Sequence, residues 1–126
     1  MNNCTKFTSS QIRYMIWLSR LSVNGVGVKN VELATALEFS KPSVHNMLKW
    51  LAEAGIITRE TYGLAHLTEE GAVLSKKYET CFSLIEWKMF ELFGENSISE
   101  NSICGVLADL SLERIDELCR GERGRG

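Results

Sequence analysis

The stretch VELATALEFSKPSVHNMLKWLAEAG, residues 31–55, constrains the chain more than any other. Its apolar residues recur at helical intervals, lapse from Glu38 to Lys41 and then resume, which divides the stretch into two helices joined by a tight turn. Asn30 can cap the first helix, with Val31, Ala34 and Leu37 turned inward. Ser40 is the expected cap of the second, and Pro42 falls in its first turn, where a missing N–H costs nothing. Val44, Leu48 and Leu51 then follow at i, i+4 and i+7. Gly55 supplies the left-handed residue that ends the helix. A helix-turn-helix needs a small residue where the two axes cross, a tight turn, and a buried branched residue in the second helix. Ala34, the Glu38-Phe39-Ser40 turn and Val44 meet those needs.

The next segment makes the pattern more specific. IITRETYGLAHLT alternates around a Tyr62-Gly63 turn, predicting two short strands, Ile56 to Thr61 and Leu64 to Leu67, the wing of a winged helix. Upstream, SSQIRYMIWLSRLS (9–22) predicts a first helix with Ile12, Met15, Ile16, Trp17 and Leu18 inward and Ser9 or Ser10 as cap. VNGVGVKN breaks that helix and leaves room for a short extended piece. Downstream, Thr68, Glu70 and Gly71 open a long helix reaching Gly94. Its apolar stripe of Leu74, Tyr78, Cys81, Phe82, Ile85, Met89, Leu92 and Phe93 is too long and aromatic for one small domain to cover, and it calls for a partner. Two short helices come after it, Ser99 to Ala108 and Leu112 to Cys119, the second capped by Ser111. The polar, glycine-rich GERGRG is expected to be disordered. The fold class is mainly α: a winged helix-turn-helix domain over 1–70, an all-helical dimerisation region over 71–120, and a disordered tail over 121–126.

In a helix-turn-helix the second helix lies in the major groove, with its N-terminal residues on base edges and its dipole favouring phosphate. Ser40, Lys41, Pro42, Ser43 and Asn46 are therefore the candidates at the groove. Asn46 suits adenine through two hydrogen bonds, Ser43 suits a base or a phosphate, and Lys41 and Lys49 suit phosphates. Arg59 and Tyr62 in the wing can reach the adjacent backbone or minor groove, whereas Lys29 and Arg13 read as ordinary surface charges. Charge is distributed in keeping with this reading. The first half carries seven Lys and Arg against four Glu, the second half seven against twelve acids. A mildly basic half beside an acidic one suits a nucleic-acid reader joined to an interaction module.

Other classes find little support. His45 and His66 have no Cys, Ser or carboxylate at a triad's spacing, and no glycine loop of the phosphate-cradling kind is present, which argues against an enzyme. The four cysteines, Cys4, Cys81, Cys104 and Cys119, form neither CxxC pairs nor a dense framework, so reduced and mostly buried thiols are expected. Cys81 and Cys104 could lie near each other as a redox or soft-metal pair, with plain core residues as the alternative. Trp17 and Trp87 read as packing residues, Trp50 as partly exposed. There is no apolar run of membrane-spanning length and no signal-peptide pattern, so a cytoplasmic protein without membrane contact is expected.

The stretch VELATALEFSKPSVHNMLKWLAEAGIITRETYGLAHLTEEG resembles the DNA-binding domain of the diphtheria-toxin-repressor and manganese-transport-regulator family. "KPSV" before the recognition helix, "LAEAGII" after it and "LTEEG" at the linking helix carry the resemblance. It extends more weakly through "SLIEWKMFELFG" and "LADLSLERIDEL". The resemblance implies a homodimer held by the C-terminal helices, a palindromic operator in double-stranded DNA, repression, and switching by Mn(II) or Fe(II). The family's metal ligands are largely replaced. The helix-one positions hold Ser10 and Arg13, the linking-helix His falls on Phe82 beside Cys81, and the C-terminal cluster falls on Cys104, Leu107 and Ala108. Glu86, Glu100 and Cys104 remain as candidate ligands, and Arg13 sets a positive charge where a cation expects a carboxylate. Glu38 stands where the family's turn usually has glycine, which implies a left-handed backbone at a non-glycine residue, at a cost of roughly 1 kcal/mol. The expected function is a homodimeric DNA-binding transcription regulator with a degenerate metal switch. The alternatives are a winged-helix interaction module without DNA binding, or a regulator with a small-molecule or thiol-redox effector.

Overall fold

The structure is a computed structural model that describes residues 6–22, 25–60, 63–95 and 98–125, with side chains through Gly121. Six helices and a two-stranded sheet succeed one another among these residues: α1 (Ser9–Leu21), α2 (Asn30–Leu37), α3 (Lys41–Glu53), β1 (Ile57–Arg59), β2 (Ala65–Leu67), α4 (Glu69–Phe93), α5 (Glu100–Asp109) and α6 (Leu112–Arg125). They form two compact units, Tyr14–Lys76 and the described residues of Met1–Arg13 with Lys77–Gly126. The boundary thus falls inside α1 and α4, rather than at 70/71 where the sequence suggests it.

In the Tyr14–Lys76 unit, the core is drawn from α1, α2, α3 and the sheet: Tyr14, Met15, Ile16 and Leu18 of α1, Leu33 and Leu37 of α2, Val44, Leu48 and Leu51 of α3, and Val28, Ile56, Ile57 and Ala65 around the sheet. Val31 is exposed and Leu33 takes the inward place expected of it. Leu33 and Leu37, four residues apart, share the inward face, and Val31 lies off it. Helix α2 starts at Asn30 itself, capped by Lys29, whose N–H donates to the Glu32 carboxylate at 2.8 Å. The turn after α2 passes through Glu38 at φ 60°, ψ 42°, the left-handed conformation expected there. Phe39 anchors this turn by stacking on Tyr14, with ring centroids 6.0 Å apart.

A Schellman motif closes α3: the Ile56 N–H donates to the Leu51 carbonyl at 2.9 Å and the Gly55 N–H to that of Ala52 at 3.1 Å, with Gly55 at φ +80°. Ile56 is used in that closure, so β1 begins at Ile57 and pairs Ile57 with Leu67, Thr58 with His66 and Arg59 with Ala65. Both strands are shorter than expected, because the Gly63 N–H already closes a turn on the Glu60 carbonyl at 3.0 Å. Thr61 and Tyr62 lie outside the described residues. The extended piece after α1 is present at Val28, which bridges to Ala65 on the sheet's free edge.

Thr68 caps α4 and fastens it to the end of α3. Its hydroxyl accepts from the Gly71 N–H at 2.9 Å and donates to the Gly55 carbonyl at 2.7 Å, while its own N–H donates to the Ile56 carbonyl at 3.0 Å. Gly71 permits this approach: a Cβ built there would stand 1.9 Å from the Ile56 carbonyl oxygen.

In the second unit, Tyr78, Cys81 and Phe82 of α4 are buried along with Ile103, Cys104 and Leu107 of α5 and Ile115 and Cys119 of α6. The start of α1 belongs here too. Thr8, rather than Ser9 or Ser10, caps α1 through a reciprocal pair of bonds with Gln11, and Phe7 meets Tyr78 edge-on at 6.2 Å. Cys81 lies 3.6 Å from Cys119, so the thiol it meets comes from α6. Burial, then the contact with Cys119, pushes the Cys81 thiol up to about 12, and burial does the same for Tyr78. Such thiols are core residues of low reactivity. Helix α6 continues to Arg125 through the tail expected to be disordered. The far end of α4 is uncovered: Leu92 and Phe93 are 72% and 61% exposed, and Trp87, read as a packing residue, is 53% exposed.

Candidate nucleic-acid interface

The buried row Val44, Leu48 and Leu51 fixes the rotation of α3, and with it which residues face outward. Lys41, Pro42, Ser43, His45, Asn46, Lys49 and Trp50 are all open to solvent in whole or in part. The sequence-predicted groove residues of α3 therefore share one helix and are all accessible. Pro42, Asn46 and Lys49 recur at the spacing of one helical stripe, with Ser43 and Trp50 beside it.

At the start of α3, the Ser40 hydroxyl oxygen accepts from the Ser43 N–H at 3.3 Å and its proton reaches the Ser43 hydroxyl at 3.0 Å. Ser40 thus serves as cap, and Ser43 keeps its own hydroxyl proton to donate outward. With no acidic residue in the first turn and Lys41 beside it, this end of α3 favours an anion. Arg59, half-buried in the wing, brings its guanidinium to 3.5 Å from His45 Nδ1 of α3. That contact places His45 beside Arg59 on the candidate face. Glu60, the wing's acid, is engaged by His66 Nε2 at 2.5 Å, and Gly27 leaves room for that imidazole: a Cβ there would come within 2.8 Å of the ring. Tyr62, the other wing candidate, is among the residues not described.

The candidate metal ligands do not assemble. Among the described residues no three His, Cys, Asp or Glu lie together in a group able to hold a metal ion. Glu100 is instead bound to Arg13, with Nε 2.5 Å from the carboxylate oxygen and the side chains only 14% and 27% exposed for Arg13 and Glu100. Cys104 is fully buried on the inner side of α5, and Glu86 is exposed on α4. A divalent cation needs several donors converging, and a guanidinium at the same carboxylate opposes it. The residues present do not fit the metal that the family resemblance implies.

No protein-family model and no curated protein sequence matches the chain. Solved structures do. The manganese regulator SloR aligns with a TM-score of 0.65 and 21% identity over 93% of this chain and 55% of its own. ZitR of Lactococcus lactis gives 0.61 and 22% over 92% and 76%. The DNA complex of Staphylococcus aureus MepR gives 0.58 and 23% over 71% and 67%. This chain spans 55% of SloR and, in a further MepR structure, 64% of that transcription regulator of a multidrug efflux pump. At such identities the shared property is the architecture: this chain has the winged-helix fold, with an outward-facing second helix in its helix-turn-helix and a short wing beside it.

Proposed function

We propose that the chain is a DNA-binding transcription regulator that inserts α3 into the major groove and sets its wing on the neighbouring backbone. The observation that carries this is the outward face of α3, where Lys41, Ser43, Asn46 and Lys49 stand open above a buried apolar row, with Arg59 of the wing at His45. MepR, of the same fold, has been solved on DNA. Asn46 reads a base, Ser43 a base or phosphate, and Lys41, Lys49 and Arg59 hold phosphates. Catalysis has no part in this reading.

The regulator acts as a homodimer on a palindromic site. An apolar groove of about 380 Å³, lined by Leu84, Ile85, Met89, Val106 and Leu118 among others, is the surface offered to a second copy. Val106→Asp, at an exposed position, should yield monomers in sedimentation velocity and weaken operator binding. The DNA-reading form needs no metal, because the Arg13–Glu100 pair takes the place of a shared cation in that unit.

The deciding experiment is fluorescence anisotropy with duplexes from the chain's own upstream region, in EDTA. Sequence-specific binding in EDTA whose affinity falls steeply with salt supports the reading. Binding that appears only with Mn(II) or Fe(II) would refute the metal-free part. Failure of Lys41→Glu with Asn46→Ala to reduce binding would refute the assigned face.

A further inference from the structure

Helix α4 carries a second surface that the dimer groove does not use. Ser83, Glu86, Trp87 and Phe90 recur at three- and four-residue intervals, and at 3.6 residues per turn they fall on the side of the helix opposite Leu84, Ile85, Lys88 and Met89. With Glu95 they line a cavity of about 630 Å³, within the size range of small-molecule sites. Trp87 and Phe90 are more than half exposed, so their rings are available to a ligand.

The chemistry of the lining is selective. Two aromatic faces attract a cation through their quadrupoles, and Trp does so best. Glu86 and Glu95 add two carboxylates that no ion pair among the described residues engages. Lys88, on the opposite side of the helix, pairs with Glu91 at 3.6 Å. A neutral or anionic occupant would desolvate both carboxylates without compensation. A bare metal ion would find two carboxylates and one hydroxyl but no use for the rings. We propose that this cavity binds a small lipophilic organic cation, with its apolar body against Trp87 and Phe90 and its charge facing Glu86 and Glu95.

The test uses the full-length protein and two ions of equal shape and opposite charge, tetraphenylphosphonium and tetraphenylborate, in isothermal titration calorimetry. The phosphonium should bind at least about tenfold more tightly than the borate. The double variant Glu86→Gln, Glu95→Gln should lose about tenfold in phosphonium affinity while its sedimentation coefficient and melting temperature stay unchanged. Trp87→Ala should weaken binding and Trp87→Phe should keep most of it. Equal binding of both ions, or binding of neither, overturns the proposal. So does a Trp87→Ala variant that dissociates the dimer, which would give this face to a second copy. No DNA is present in the measurement, so its failure leaves the reading of α3 untouched, and the reverse also holds.

Discussion

Replacing Gly71 by alanine should unfold the winged unit far more easily, whereas the same replacement at Gly105 should stabilise the chain. At Gly71 the new Cβ would lie 1.9 Å from the Ile56 carbonyl oxygen. An ordinary carbon to carbonyl-oxygen contact is about 3.3 Å or more, so the start of α4 must move away by more than about 1 Å. The obstacle is backbone and cannot rotate aside. That movement stretches the Thr68 N–H bond to Ile56 at 3.0 Å and the Thr68 hydroxyl bond to Gly55 at 2.7 Å. Two bonds at about 1 kcal/mol each, with an overpacking cost of about 1–3 kcal/mol, give a loss of about 3–5 kcal/mol. The lower backbone entropy of alanine in the unfolded chain returns only about 0.5–1 kcal/mol of this. At Gly105, inside α5, a Cβ meets nothing within 4 Å. There only helix propensity changes, a gain of about 0.5–1 kcal/mol. Thermal melting by circular dichroism should show a drop of about 10–20 °C for Gly71→Ala and a rise of a few degrees for Gly105→Ala. A Gly71→Ala variant melting within a few degrees of the parent would refute the argument that the bare Cα is what lets α4 dock on the end of α3.

Glu38→Gly should raise stability by about 0.5–1 kcal/mol in urea unfolding, since φ 60° strains a side chain and suits glycine, and DNA affinity should not change. Asn46→Ala should cost about 1–3 kcal/mol in specific binding and relax preference at one base pair, while Lys49→Ala should weaken all duplexes alike and lower the salt slope by about 1; competition anisotropy at several salt concentrations separates the two. Stability should fall in alkali. Cys81 and Tyr78 are pushed from 9.0 and 10.0 up to about 12, so the unfolded chain releases their protons first. Their contribution is intact below pH 9 and declines as pH rises from about 9 to 12, at up to about 1.4 kcal/mol per pH unit for each group, which chemical unfolding at stepped pH would read. Cys81→Ala should remove the part that begins at pH 9.

The range of the interactions that set each feature decides whether it was legible from sequence. The α3 face was legible because it rests on a local rule: once Val44, Leu48 and Leu51 are inward, 3.6 residues per turn fixes that Lys41, Asn46 and Lys49 are outward. The left-handed Glu38 and the Gly55 closure were legible for the same reason, each being a matter of one turn. Val31 departs from expectation because α2 offers two apolar stripes, and packing against the other elements selects the one that holds Leu33 and Leu37. Cys119 as the neighbour of Cys81, and His45 as the neighbour of Arg59, could not be read at all, since 38 and 14 residues separate the partners and no periodicity links them.

The Arg13–Glu100 pair is the sharpest case of that divide, and it yields a prediction of its own. In sequence, Arg13 reads as a surface charge and Glu100 as a possible metal ligand. In the folded unit the two meet across 87 residues with most of each side chain covered. A pair so placed is worth little against an apolar substitute but costs more when one partner is left alone. With part of each group still wet, Arg13→Ala or Glu100→Ala should lose about 1–2 kcal/mol. Arg13→Glu should lose more, because two carboxylates then face each other. The exchange Arg13→Glu with Glu100→Arg restores opposite charges, and its loss should fall below the sum of the single charge reversals, a coupling read by a double-mutant cycle in urea. Additive losses would mean that the two charges act independently. Specific DNA binding in EDTA should follow the same order as stability. If the exchanged protein were fully stable yet bound DNA only with added metal, the pair would be a structural accident and not the element that stands where a cation would.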